Sequence, residues 1–111
     1  MRSYCIDELT TDDLETLQRR LDEMELGSGM EGLFWLPVPP SMLTQVQEEH
    51  LDECGPYSIA LELTDGALRM ELLVRARNRL RCECIGYASV DLERHMIDYV
   101  DTMLRDLGIA I

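Results

Sequence analysis

The pair Asp65-Gly66 lies between two runs of alternating character, which together span Tyr57 to Val74. Asp-Gly flanked by alternating hydrophobic residues is the strongest short-range hairpin signal, and it predicts a two-residue type I′ turn joining antiparallel strands. The register follows from the requirement that opposing positions sum to 131. Leu63 then faces Leu68, Leu61 faces Met70, Ile59 faces Leu72 and Tyr57 faces Val74 on one side, with Glu62 across from Arg69 on the other. An apolar face of this length must be covered, so whatever else the chain does, it has to place helices or further strands over this ribbon.

The neighbouring segments supply that cover. Positions summing to 158 bring Leu73 opposite Ile85 and Arg75 opposite Glu83, which predicts a third strand over Leu80–Ala88 after a turn at Asn78-Arg79-Leu80. Upstream, Thr10 with Asp13 reads as a capping box and Leu9 with Leu14 as a hydrophobic staple. Leu14, Leu17, Leu21 and Met24 then recur at helical spacing up to Leu26, before Gly27. Residues 3–9 are compatible with strand or coil. Gly32 to Pro40, with its aromatic and branched side chains, reads as a strand that its prolines confine to a sheet edge or to the strand's end.

A second helix is expected from Pro40-Ser41 to Cys54-Gly55-Pro56, with Met42, Leu43, Val46, His50 and Leu51 as its apolar stripe. The longest stripe, Leu92, Met96, Tyr99, Val100, Met103, Leu104 and Leu107, predicts a helix over about Asp91–Leu107 stopped by Gly108. The expected architecture is therefore an α+β domain over residues 1–111. It is an antiparallel β-meander of three to four strands with helices on one face, in the order α-β-α-β-β-β-α.

Charge narrows the function classes. Twenty-two acids against ten bases give a formal charge of −12, and every base is Arg. Such a chain repels polyphosphates and anionic lipid surfaces, so nucleic acid and membrane are not expected partners. Acids within residues 1–8 interrupt any secretory h-region, and the longest apolar stretch, Leu33 to Pro40, is far too short to span a bilayer, which places the protein in the cytoplasm. In that compartment the four cysteines, Cys5, Cys54, Cys82 and Cys84, are expected as thiols or metal ligands rather than disulfides.

Gly27-Ser28-Gly29-Met30-Glu31-Gly32 matches a dinucleotide fingerprint in letters only. A helix precedes it and a strand follows, the reverse of the context that brings a pyrophosphate to a helix N-terminus, so it reads as a connector. The absence of Lys removes any P-loop.

Three constellations remain. His50 and Cys54 are one helical turn apart, and Cys82 and Cys84 alternate onto one side of a strand, which offers a Cys₃His set for zinc if the two pairs meet. The plainer reading makes the cysteines small core residues. His50 with Cys54 could alternatively form a thiol-enzyme dyad, but no Gly-rich oxyanion loop follows the cysteine, and the adjacent carboxylates read as solvated helix faces, so no catalysis is expected. The segment Arg75-Ala76-Arg77-Asn78-Arg79-Leu80-Arg81 carries four arginines and no acid. These forks either pair with acids such as Glu71 and Glu83 or form a docking tip for an acidic partner. Phe34 and Trp35, as neighbours on a strand, point to opposite faces, and one of them is available as an interface anchor.

In size, acidity and hairpin-then-long-helix order, Tyr57 to Leu107 resembles the small acidic bacterial secretion chaperones, which implies dimerisation and capture of a partner segment; the helix between Ser41 and Cys54 departs from that class. The leading expectation is a non-catalytic protein-binding or chaperone-like module that self-associates as a homodimer. The alternatives are a small zinc protein built on His50, Cys54, Cys82 and Cys84, with zinc as its one candidate cofactor, and an acidic inhibitor that mimics nucleic acid.

Overall fold

The computed structural model describes residues 2–111. Its elements run β1 (Ser3–Ile6), α1 (Thr11–Glu23), β2 (Leu33–Pro37), a 3-10 turn (Pro40–Met42), α2 (Gln45–Glu49), α3 (Leu51–Cys54), β3 (Tyr57–Thr64), β4 (Ala67–Glu71), β5 (Leu73–Ala76), β6 (Gly86–Tyr87) and α4 (Val90–Asp106). The molecule is mixed α and β, with a six-stranded sheet in which each strand pairing is antiparallel.

The hairpin forms in the expected register at its closed end, with Leu61 opposite Met70, Glu62 opposite Arg69 and Leu63 opposite Leu68. Its turn differs from the type I′ form, because Gly66 has φ +75° while Asp65 stays out of the left-handed region. The register also breaks at Leu72. Tyr57 faces Ala76 and Ser58 faces Arg75, so the pairings of Ile59 with Leu72 and Tyr57 with Val74 do not form. The cause lies on the other edge of the same strand. Leu72 N–H donates to the Arg2 carbonyl at 3.0 Å, and its own carbonyl accepts from Ala88 N–H at 2.9 Å, so β1 hands over to β6 at this residue. The ladder is interrupted there, between β4 and β5.

The expected strand Leu80–Ala88 is reduced to Gly86–Tyr87, which pair with Val74 and Leu73. Residues 77–85 form an irregular loop instead, and Arg75 never meets Glu83. No period-2 ladder could have served here, because Cys82 and Cys84 turn inward while Leu80 is 95% exposed.

The predicted second helix is likewise broken. Thr44 caps α2 through a reciprocal box with Gln47, and α2 ends at His50, where α3 begins. Val46 and Leu51, expected on an apolar stripe, are exposed, whereas Gln47 is buried. By contrast α1 begins at the Thr10–Asp13 capping box as expected, and α4 is capped by the Ser89 hydroxyl. Leu17 and Leu21 of α1 and Leu92, Met96, Val100 and Leu104 of α4 share one core with Ile59, Leu61, Leu68, Met70 and Val74 of the sheet. The Tyr4 hydroxyl donates to Asp101, tying the first strand to the last helix.

The glycine-rich segment is a connector, with α1 before it and β2 after it. Gly32 has a positional reason: its φ is +75°, and a Cβ there would lie 2.8 Å from the Leu63 carbonyl oxygen. No helix among the described residues is long and apolar enough to cross a membrane.

Candidate metal centre

Two short stretches of backbone converge where β3 begins. One is the α2–α3 joint, which carries His50 and Cys54. The other is the loop over residues 77–85, which carries Cys82 and Cys84. The loop is held against the helices by main-chain bonds from Arg77 N–H to the Pro56 carbonyl (2.9 Å) and from Asn78 N–H to the Cys54 carbonyl (3.0 Å). Asn78 Nδ2 also donates to the Gly55 carbonyl. Farther along, Gln47 Nε2 donates to the Cys84 carbonyl at 3.1 Å, and the Tyr57 hydroxyl donates to the Gln47 carbonyl at 2.8 Å. Gln47 is therefore buried because it is fully used, its other side-chain atom accepting from Thr44 N–H.

These contacts bring one ligand atom from each of His50, Cys54, Cys82 and Cys84 within 4.8 Å of one another. The four residues expected from the sequence do meet, although neither of the two regular elements expected to carry them, a long helix and a strand, exists as such. A tetrahedral zinc with bonds of about 2.3 Å to sulfur and about 2.0 Å to nitrogen needs edges of roughly 3.8 Å between sulfurs and roughly 3.5 Å between sulfur and nitrogen. The Cys54 and Cys82 sulfurs are 3.7 Å apart, which is the required edge. His50 Nδ1 is 3.0 Å from the Cys82 sulfur, a hydrogen-bond distance that would open by about half an ångström on ligation. Cys54 and Cys84 are buried and His50 and Cys82 half-buried, so the set is reachable from one side.

The charge distribution is uneven. Cys82 is pulled down to about 6 by the Cys84 backbone hydrogen bond, with the Cys84 thiol and the His50 ring adding to it. The hydrogen bond to Cys82 raises His50 in return. Cys54 is pushed up to about 11, first by burial and then by the neighbouring sulfur of Cys82. Burial and the Cys84 sulfur also push the Tyr57 phenol upward, so it remains a donor. The thiolate is thus favoured at Cys82 and disfavoured at Cys54, whose proton a bound cation would replace.

Glu83 was not anticipated at this site. Its carboxylate lies 3.5 Å from His50 Nε2, on the ring edge away from the sulfurs. That is the position of an outer-shell carboxylate that fixes a ligating imidazole's tautomer. Its place between Cys82 and Cys84 was the available signal, but the expected register sent Glu83 to Arg75.

The remaining candidate residues divide between the core, the opposite sheet face and the loop over residues 77–85. Phe34 is 1% exposed and packs in the core, so it is no surface anchor; even-numbered positions of β2 face inward. Trp35 faces the other way, with the Arg77 guanidinium 4.8 Å from its ring centre. Arg75 is held by both oxygens of Glu71 at 2.7 and 3.2 Å. Arg79 and Arg81 are exposed on the loop. Arg77 and Arg79, with Arg69 and Arg75, border a groove of about 340 Å³ floored by Leu33, Trp35 and Ala60; Arg81 lies outside it.

Comparison of the chain with protein families, with curated proteins and with solved structures finds no match to any of them.

Proposed function

We propose that this chain is a small zinc protein in which a Cys₃His site acts as a structural clasp for a non-catalytic binding module. The observation that carries the reading is the convergence of all four soft ligand atoms within 4.8 Å from two stretches of chain 28 residues apart. Four protein ligands complete a tetrahedron and leave no open position for substrate, which is the pattern of structural rather than catalytic zinc. Three thiolates and an imidazole also suit zinc better than the hard cations, which take oxygen.

A thiol-enzyme reading draws on the contacts of His50 with Cys82, in place of the Cys54 expected from the sequence, and with Glu83. It uses only part of the set, however. It leaves Cys54 3.7 Å from the supposed nucleophile, where oxidation would close a disulfide across the site. The zinc reading uses every member of the cluster.

The test is a native mass spectrum together with elemental analysis of protein expressed with added zinc. One zinc per chain is expected, lost in Cys54→Ser and Cys84→Ser but kept in Cys5→Ser. Protein that takes up no zinc, or takes it up equally in the Cys84→Ser variant, refutes the reading. The same spectrum counts subunits, for which the self-association reading expects two.

A further inference from the structure

The loop over residues 77–85 has two working sides. One side turns Cys82 and Cys84 toward His50 and Cys54. The other borders the groove on the open sheet face with Arg77, Arg79, Leu80 and Ile85. We infer that this groove is a docking site for a short acidic and apolar peptide segment of a partner protein, and that zinc at the clasp sets the loop in the binding arrangement. The second half of this inference rests on the zinc reading above; the groove itself does not.

Charge complementarity carries the choice of partner. In a chain of net charge −12, this groove gathers four arginines against two glutamates. Glu71 already has both oxygens on Arg75, whereas Arg77, exposed with its guanidinium 4.8 Å from the Trp35 ring centre, has no acid paired with it among the described residues and can take a carboxylate. Leu80, 95% exposed between Arg79 and Arg81, is a large apolar side chain without a covering partner, and it stands at the rim of an apolar floor. A carboxylate for the forks and a bulky aliphatic side chain for Leu33, Trp35 and Leu80 therefore satisfy the groove together.

Its volume of about 340 Å³ is at the small end for a ligand site and suits one or two side chains rather than a folded surface. A polyphosphate or nucleic acid strand would meet the same arginines. It would also meet Glu62 inside the groove and the acidic remainder of the chain at long range, and a single carboxylate is repelled far less.

The coupling follows from connectivity. Among the bonds that hold the loop, Asn78 is tied to Cys54 and Gly55, so the clasp and the arginines share one short piece of backbone. Zinc held between residues 82–84 and His50 with Cys54 fixes the far end of that piece. By linkage, peptide bound in the groove then tightens zinc by the same factor that zinc tightens peptide.

Trp35 is the chain's one tryptophan, so its fluorescence reports the groove directly. The experiment titrates a capped Leu-Glu-Leu-Glu peptide, with capped Leu-Gln-Leu-Gln as control, into zinc-loaded protein, metal-stripped protein, and the exposed-site variants Arg77→Ala/Arg79→Ala and Leu80→Ser. Saturable binding of the acidic peptide is expected. It should weaken at least tenfold in the double arginine variant and on metal removal, and severalfold in Leu80→Ser, with circular dichroism unchanged in the variants.

Equal binding of the two peptides, or no saturable change at all, overturns the docking site. Stronger displacement of the Trp35 signal by inorganic phosphate or a single-stranded oligonucleotide overturns the peptide assignment in favour of a phosphate ligand. Equal affinity with and without metal, in protein that demonstrably holds zinc, overturns the coupling alone. Protein that never holds zinc fails the clasp and the coupling, while the arginine comparison still decides the groove.

Discussion

Zinc should raise the melting temperature of this protein to a plateau, and the height of that plateau can be worked from the positions of the ligands. The set divides into two local pairs, His50 with Cys54 and Cys82 with Cys84, and the cross-connection from Cys54 to Cys82 spans 28 residues. An unfolded chain can offer zinc either pair, but to offer both it must close that loop, at a chain-entropy cost of roughly 3 to 4 kcal/mol. The folded chain has already brought the pairs together. Its zinc affinity therefore exceeds that of the unfolded chain by a factor of several hundred, and stabilisation by mass action saturates at that ratio, roughly 3 to 4 kcal/mol. At about 4 °C per kcal/mol for a chain of this length, chelator-treated protein should gain roughly 12 to 16 °C on zinc titration and then level off. Differential scanning calorimetry under reducing conditions reads this directly. Cys84→Ser should melt lower than the parent even with chelator, because it places a hydroxyl in a buried thiol's position, but its distance from the parent should widen by most of the plateau once zinc is added. A gap between the two proteins that is the same with zinc and with chelator would refute the reasoning, since the cysteines would then be acting as packing.

Glu83→Gln should weaken zinc by roughly tenfold without changing stoichiometry, at the low end of outer-shell effects because this carboxylate is three-quarters exposed; competition with a chromophoric chelator measures it. Zinc binding should release protons, most visibly from Cys54, which is held above its ordinary value, and calorimetry in buffers of different ionisation enthalpy counts them. Burial and the Asp101 carboxylate raise the Tyr4 phenol to about 12. Its contribution to stability is therefore complete below about pH 10 and is lost as pH climbs from there through about 12, so Tyr4→Phe should differ from the parent by about 1 kcal/mol at neutral pH and converge on it in alkali, as denaturant melts across that range would show. Gly32→Ala should cost roughly 2 kcal/mol or more by the same assay, since it puts an alanine at φ +75° with its Cβ 2.8 Å from the Leu63 oxygen.

The parts of the fold that the sequence disclosed are those governed by local rules. Thr10 with Asp13, the stripe from Leu92 to Leu104 and the Leu61–Met70 register each depend on neighbours a few residues away or on a pattern repeated several times. What the sequence did not disclose depends on partners met across long separations. The break at Leu72 falls where Arg2, just before β1, and Ala88, just after β6 and 86 residues away, both bond to one residue of the strand edge. Nothing in the alternation of Ile59 and Leu72 carries that information, since both are buried as the simple hairpin would have them. Between Ser41 and Cys54 the apolar spacing was compatible with one helix. The decisive feature was the polar pair Thr44 and Gln47, whose capping box restarts the chain and leaves Val46 and Leu51 outside.

The site was legible for a different reason, which bears on how such centres arise. A strand would put Cys82 and Cys84 on one side and a continuous helix would do the same for His50 and Cys54; neither element exists as such, yet the four side chains converge. Spacings of two and four residues keep ligands together over short spans of many backbone forms, so the grouping survives the loss of the elements used to predict it. The ligand pairs then need only be brought together once, and here Gln47 does so by donating to the Cys84 carbonyl and Asn78 by donating to the Gly55 carbonyl, while the Tyr57 hydroxyl holds the Gln47 carbonyl. A loop of nine residues with one buried side chain, Cys84, and only Cys82 and Ile85 partly buried against the core has a modest hydrophobic hold on its shape. The irregularity of this loop is what would give an ion bound at the clasp leverage over it, and that leverage would extend to the arginines carried on its other side.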